Sequence, residues 1–288
     1  MSQPQSATSP AAPFTLSPAD LAFFRRFGFL AFPGLVADRI DGICAAFEQI
    51  FAERGGGHDG KPHDGIARSC IVPFIDQSAV LSSLLDDPRV HAIGTALLGD
   101  DFNYMGSDGN FYVGDTGWHS DGWHREQQHL KIAFYLEELD GDSGALRVIP
   151  GSHVVGDRYA EGVGEGIGEL AKLGVHGSQI PAQVLKVKPG DVLVFNHNTK
   201  HASFNGGKRR RMFTINLCQR HPEHRLPEFR EYVASGARFL VDQPFGPHMM
   251  ASATPARMRH LEQVLANSDL LRVRVKELKE LGATPARG

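Results

Sequence analysis

The chain has 288 residues, 41% of them hydrophobic and 22% charged, with a formal net charge of −3. This composition builds one large β-rich domain or two small ones, and it offers no excess of charge for a polyanion or an anionic membrane. Cys44, Cys70 and Cys218 are odd in number, far apart and without a C-x-x-C pair. That excludes a disulfide frame and points to free thiols in a reducing cytosol. The first residues lack the basic start and apolar stretch of a signal peptide, and no run of about 18 apolar residues marks a membrane span. The expected location is therefore cytoplasmic, and the expected partner a small molecule rather than nucleic acid or membrane.

Residues 1–14 are expected to be a disordered tail, followed by one domain over 15–288. Ser17-Pro18-Ala19-Asp20 predicts a capped helix that ends at Gly28, with Ser17 as N-cap, Pro18 in the first turn and Asp20 at the positive helix end. Phe29 to Phe32 reads as a strand. A second helix over 37–54 carries Ile40, Ile43, Cys44, Phe47, Ile50 and Phe51 on one stripe. The loop 58–65 holds His58, Asp59, His63 and Asp64 and reads as mobile surface rather than a metal site. Helix is expected again over 78–98, with a break near Pro88, which completes a helical N-terminal part over 15–100.

From Asp101 to about residue 220, short strands alternate with turns. Strands are expected over 102–105 and 110–113. Segment 130–136 has strict alternation, with Leu130, Ile132, Phe134 and Leu136 on one face and Lys131, Ala133 and Tyr135 on the other. Further strands are expected over 145–149, 183–187, 191–195 and 211–218. The Gly-rich insertion 156–182 reads as a lid or a plain surface loop. Its Glu161, Glu165 and Glu169 reject phosphate, so it is no phosphate loop. A helical part over 221–288 closes the chain. Strands flanked by helices at both ends predict a mainly β fold, a double-sheet jelly roll carrying helices.

The chemistry concentrates in Gly117-Trp118-His119-Ser120-Asp121-Gly122-Trp123-His124, which contains both tryptophans of the chain. Residues two apart on a strand share a face, so His119 and Asp121 converge. With a distant histidine, best His201, they make the two-histidine, one-carboxylate set of non-haem Fe(II) oxygenases. Beyond His201, the segment Arg210-Arg211-Met212-Phe213-Thr214-Ile215 puts Arg210, Met212, Thr214 and Asn216 on one semi-polar face. An arginine opening such a face suits a buried carboxylate. Lys208 and Arg209 belong to a solvated turn.

Four stretches in order resemble the phytanoyl-CoA dioxygenase family of Fe(II)/2-oxoglutarate oxygenases: Leu16-Ser17-Pro18 through Pro33-Gly34, Trp118-His119-Ser120-Asp121, Gly144 to His153, and Pro189-Gly190-Asp191 through His201-Ala202-Ser203 to Arg210. The resemblance covers residues 16 to about 219. It implies a double-stranded β-helix, Fe(II) on His119, Asp121 and His201, 2-oxoglutarate as cosubstrate and O2 as oxidant. His197 is too close to His201 for both to bind the metal, and the family pattern selects His201. The resemblance pairs the cosubstrate's distal carboxylate with Arg210, Arg211 being the fallback, and adds Ser203. Asn110 resembles a cosubstrate-contacting asparagine of ectoine-hydroxylase-like members, though a plain turn role fits it equally. Those members also carry a Trp-His pair after the motif, which casts Trp123 and His124 as substrate-pocket wall. Arg147, Arg68 or Lys131 then hold an anionic end of a small polar or zwitterionic metabolite. His153 reads as a structural hydrogen-bonder. An aspartate at 121, where related halogenases carry a small residue, implies hydroxylation, desaturation or ring closure. The alternative is a non-enzymatic jelly-roll protein binding a metal or small ligand, and that class lacks the arginine after the last ligand.

Overall fold

A computed structural model describes residues 13–56 and 60–286. Most of the expected tail, and His58 and Asp59 of the polar loop, lie outside the described residues. The helices are α1 (Pro18–Phe27), α2 (Ile40–Arg54), α3 (Ala79–Ser82), α4 (Pro88–Leu98), α5 (Arg158–Lys172), α6 (Leu226–Ala234), α7 (Pro247–Ser252), α8 (Pro255–Met258), α9 (Glu262–Ala266) and α10 (Asp269–Glu280). The strands are β1 (Phe29–Phe32), β2 (Ser69–Ile71), β3 (Asn103–Tyr112), β4 (Thr116–His119), β5 (His129–Tyr135), β6 (Leu146–Val148), β7 (Gln183–Leu185), β8 (Val192–Asn196), β9 (His201–Ser203) and β10 (Arg210–Cys218). They form a six-stranded sheet, β1-β8-β5-β10-β3-β2, facing a four-stranded sheet, β4-β9-β6-β7. Every strand pairing is antiparallel. This is the expected jelly roll with flanking helices, although helix contributes more residues than strand.

Local chemistry explains the elements that were foreseen. Ser17 and Asp20 form a reciprocal capping box on α1, and Gly28 ends it in the left-handed conformation at φ 83°. The stripe of α2 buries Ile43, Phe47, Ile50 and Phe51. Phe47 meets Phe74 and Phe111 edge-on at 5.2 and 5.3 Å, and Phe213 stacks on Phe134 at 4.6 Å. These rings fill the core between the helices and the outer face of the large sheet. The opposite, inner face carries Ala133, Tyr135, Leu193, Phe195 and Met212, packed toward Leu146 and Val148 of the small sheet.

Two expectations need correction. Segments 102–105 and 110–113 are one strand, β3, not two. Gly106 (φ 115°) sits at a bulge where Asn216 pairs with Gly106 but Leu217 with Tyr104, so a residue that read as a break bends a continuous strand. Gly109 leaves room for the Phe74 ring, which a side chain there would overlap. The insertion 156–182 is not a loop, because most of it is α5, capped by Asp157 accepting from the Tyr159 and Ala160 amides. Its four glycines hid the helical spacing, and no residue of the insertion lines the central cavity.

Candidate active site

The inner faces of the two sheets enclose a cavity of about 690 Å³, within the range of small-molecule sites. Its wall includes His119, Asp121, His201, Ser203 and Arg210. Strands β4 and β9 bring the two histidines together as direct register partners, His119 opposite His201. Their rings lie 4.2 Å apart, centroid to centroid. A bulge between Thr116 and His119 sets this pairing.

Both imidazoles are held in one tautomer. His119 Nδ1 donates to the Gly117 carbonyl (2.8 Å) and His201 Nδ1 to the Thr199 carbonyl (2.9 Å). A carbonyl only accepts, so Nδ1 carries the proton and Nε2 presents a lone pair to the cavity. Backbone anchoring of the second ring nitrogen is the usual support of a metal-bound histidine. One ligand atom each from His119, Asp121 and His201 lie within 4.8 Å of one another. The donor set, its spacing and the fixed tautomers fit an Fe(II) ion. Asp121 is aimed by its own loop, since the amides of Asp121 and Gly122 donate to the His197 carbonyl (2.9 and 3.3 Å) and Ser120 Oγ donates to the Asn198 carbonyl (2.8 Å).

Lys131 projects from β5 and its Nζ lies 3.0 Å from Asp121 Oδ2. Burial alone would raise the Asp121 carboxyl, but the Lys131 ammonium and the His201 and His197 rings override it and hold it far below the ordinary carboxylate range. Burial pushes His201 down to about 4, against the pull of Asp121. Asp108, which the sequence did not single out, forms a second carboxylate on the wall, its side chain 17% exposed. Burial opposes its ionisation, and Lys131, Arg68 and the Thr214 hydroxyl keep it ionised. Arg68 pairs with it at 3.5 Å.

Arg210 opens β10 on the inner face with Met212, Thr214 and Asn216, all on the cavity wall as the alternation required. It is 4% exposed, and its Nε and Nη1 are buried without a hydrogen-bond partner. Gly144 and Gly206 cradle it, and a Cβ at either would sit on Nη1. Arg211 points to the other face and pairs with Glu48 (2.9 Å) and the Leu136 carbonyl (3.0 Å). Of the two arginines, Arg210 is the one available to a carboxylate in the cavity. Ser203 faces the same space, its Oγ donating to the Gly144 carbonyl at 3.0 Å.

Four expected residues do not line the cavity. Arg147 alternates away from Leu146 on β6, and its guanidinium is spent on the Ser178 and Gly141 carbonyls (3.0 and 2.9 Å). Past Asp121 the chain folds over the 196–198 turn, so Trp123 is turned out, 39% exposed, and His124 is turned down onto His129. Asn110 is buried on the inner face between Asp108 and Tyr112, opposite Met212, and its amide is committed to the wall itself, accepting from Arg68 Nε (2.8 Å) and donating to Asp108 (2.6 Å). The wall instead gains Trp118, Tyr112 and Tyr135, and a C-terminal rim with Tyr232, Arg238 and Phe239. No spacing rule links that rim to the motif; only the packing of the C-terminal helices brings it there. Trp118 was in view, and its Nε1 donates to the Gly177 carbonyl at 2.9 Å.

Comparison with known proteins agrees with this geometry. The model of the phytanoyl-CoA dioxygenase (PhyH) family matches residues 24–212. An ectoine dioxygenase of Stutzerimonas stutzeri is 28% identical over 211 residues, 62% of this chain and 68% of that protein. One of Sphingopyxis alaskensis is 33% identical over 156 residues, 44% of this chain and 49% of that protein, so the chain spans about half of its length. The crystal structure of EctD from S. alaskensis with 2-oxoglutarate and 5-hydroxyectoine superposes with a TM-score of 0.54 at 25% identity, covering 74% of this chain and 79% of that one. The iron-bound structure of HygX from Streptomyces hygroscopicus shares the fold at a TM-score of 0.54 and 16% identity, over 71% of this chain and 87% of that one. The chain belongs to the phytanoyl-CoA dioxygenase family, and with it to the 2-oxoglutarate-dependent non-haem iron dioxygenases.

Proposed function

We propose that the chain hydroxylates an unactivated C–H bond of a small-molecule metabolite, with release of succinate and CO2. In this reading His119, Asp121 and His201 hold Fe(II), and Arg210 with Ser203 receives the distal carboxylate of 2-oxoglutarate. The observation that carries it is the pairing of two tautomer-fixed Nε2 lone pairs and one carboxylate with a buried, unpartnered guanidinium on the same cavity wall. Iron supplies O2 activation when bound. The chain's own residues orient and shield. His119 and His201 would offer their Nε2 lone pairs and Asp121 its carboxylate, Lys131 would counter the Asp121 charge, and Arg210 would fix the cosubstrate's far end. The wall beyond them carries both signs of charge, Arg68 and Arg238 against Asp108, beside the rings of Tyr112, Tyr135 and Tyr232. Such a lining suits a small polar or zwitterionic substrate, and the similarity to ectoine dioxygenases supports that class. Because Trp123 and His124 lie outside the cavity, the pocket is not built as the Trp-His pair suggested.

The test combines two measurements. Under anaerobic conditions, Fe(II) plus 2-oxoglutarate should give a weak visible metal-to-ligand charge-transfer band, lost in Asp121→Ala. A succinate-release screen over polar and zwitterionic metabolites should then identify the substrate. A His119→Ala or Asp121→Ala protein that made succinate at the wild-type rate would sink the ligand assignment.

A further inference from the structure

The inner face of the large sheet does not end at Lys131. Register places Lys131 between Phe195 of β8 and Asn216 of β10. The next inner-face position along β5 is His129, opposite Cys218, and its carbonyl accepts from the His197 amide at 3.0 Å. The ends of three neighbouring strands thus place His197, His129 and Cys218 in one row. The loop that carries Asp121 brings His124 onto this row, stacked on His129 with centroids 3.5 Å apart. His221 approaches His129 from the other side at 6.1 Å. Ligand atoms of His124, His129 and His197 lie within 4.8 Å of one another.

The hydrogen bonds of this cluster are missing. His124 Nε2, His129 Nδ1 and both ring nitrogens of His221 are buried without a partner, and His197 has only the side chain of Asn216 beside it. His129 is 2% exposed and His197 4%. Each such atom forgoes about 1–3 kcal/mol, and native interiors leave few of them. Three neutral imidazoles with free lone pairs are the form a metal ion takes up.

We propose that this cluster is a second metal site, separate from the His119–Asp121–His201 triad, in which His124, His129 and His197 hold a borderline divalent cation of the zinc class. The stacked rings of His124 and His129 cannot both aim at one ion, so binding turns one of them about its Cβ–Cγ bond. That turn breaks no hydrogen bond, because those nitrogens make none. Gly122 leaves the room that the His124 ring occupies. Cys218 Sγ, which accepts from Asn103 Nδ2 at 3.8 Å, lies at ligand spacing from His129 and His221 but is not part of the His124–His129–His197 group. The ion would tie the loop bearing Asp121 to the ends of β5 and β8.

The test uses the full chain carrying His119→Ala and Asp121→Ala, stripped with a chelator and titrated with Zn2+ against a chromophoric competitor. The triad is disabled in that protein, so the outcome does not depend on the iron assignment. One equivalent of Zn2+ should remain, raise the melting temperature, and weaken at least about tenfold on adding His129→Gln or His124→Gln. The loop position of His124 gives a variant that folds even if His129→Gln does not, and far-UV circular dichroism checks both. With Co2+, no near-UV thiolate band should appear, and Cys218→Ser should leave binding unchanged. No bound Zn2+ in the triad-disabled protein, Zn2+ binding indifferent to both histidine changes, or loss of the ion in Cys218→Ser would each overturn the proposal.

Discussion

Replacing Arg210 with methionine should move cosubstrate binding and fold stability in opposite directions. The guanidinium is 4% exposed, and its buried Nε and Nη1 make no hydrogen bond to the rest of the protein. The Tyr112 ring, 5.2 Å away, returns only part of that cost, about 0.5–2 kcal/mol. An apolar side chain of similar reach removes the unpaired charge, and such exchanges at buried ion sites are neutral to stabilising by about 1–4 kcal/mol. At about 2–4 °C per kcal/mol for a domain of this size, the ligand-free protein should melt unchanged or several degrees higher. With 2-oxoglutarate the sign reverses. Two charge-assisted hydrogen bonds to a carboxylate contribute about 3–5 kcal/mol. Their loss should weaken the Kd about 100- to 5,000-fold. Melting curves with and without 2-oxoglutarate, and an anaerobic titration of the Fe(II) charge-transfer band, read the two effects separately. A melting temperature that fell by several degrees in the ligand-free variant, with 2-oxoglutarate affinity within threefold of wild type on the scale of these terms, would falsify the reasoning.

Three further changes test the surroundings. Lys131→Met removes the ammonium that neutralises Asp121 and Asp108, which should cost about 3–5 kcal/mol without metal and distinctly less with saturating Mn2+, whose charge substitutes for it; equal losses in both melts would show that Lys131 is not a counter-charge. Asp87 caps α4 and pairs with Arg39 and Arg89 at 3.0 and 2.7 Å. Burial opposes its ionisation, but the bonds from Arg89 and Arg39 lower its carboxyl to about 2. A depressed folded-state value means stability that is present above the unfolded value near 4 and lost as pH falls toward 2. Asp87→Ala should therefore forfeit about 2 kcal/mol at neutral pH and show a flatter acid unfolding profile between pH 4 and 2, read by circular dichroism. Gly109→Ala drives a methyl into the Phe74 ring, which Phe47 and Phe213 hold from other sides. It should cost about 1–3 kcal/mol in denaturant unfolding, and a neutral result would show that the ring can move.

What could be read in the sequence was what local periodicity controls. The alternation of β10 put Phe213, Ile215 and Leu217 in the core and Met212, Thr214 and Asn216 on the cavity face, while the choice of Arg210 over Arg211 rested on the family resemblance. The caps of α1 and the stripe of α2 were equally plain. Motif order identified the family. Glycine was the commonest source of error, because it marks bends, close approach and helix interiors alike: Gly106 and Gly109 split β3 on paper, and four glycines concealed α5. Contacts between distant strands had no local signal. Lys131 was seen as an inner-face cation, but its place against Asp121 rather than a substrate depends on the loop that folds over residues 196–198. Trp123 and His124 failed for the same reason, since sequence proximity to a ligand says nothing of which way a loop turns.

The bulge in β4 has a consequence for how the site tolerates change. Three steps along the chain from Thr116 to His119 are matched by two steps from Ser203 to His201. Smooth that bulge at the same length, and even pairing would set Trp118 across from His201 and turn His119 to the opposite side. The two imidazoles meet because one extra residue is looped out between Thr116 and His119. A substitution that flattened the bulge would exchange a ligand for an indole in one step, whereas loss of the extra residue would leave the two histidines opposite each other. An irregularity of pairing, in this short strand, is part of the coordination chemistry.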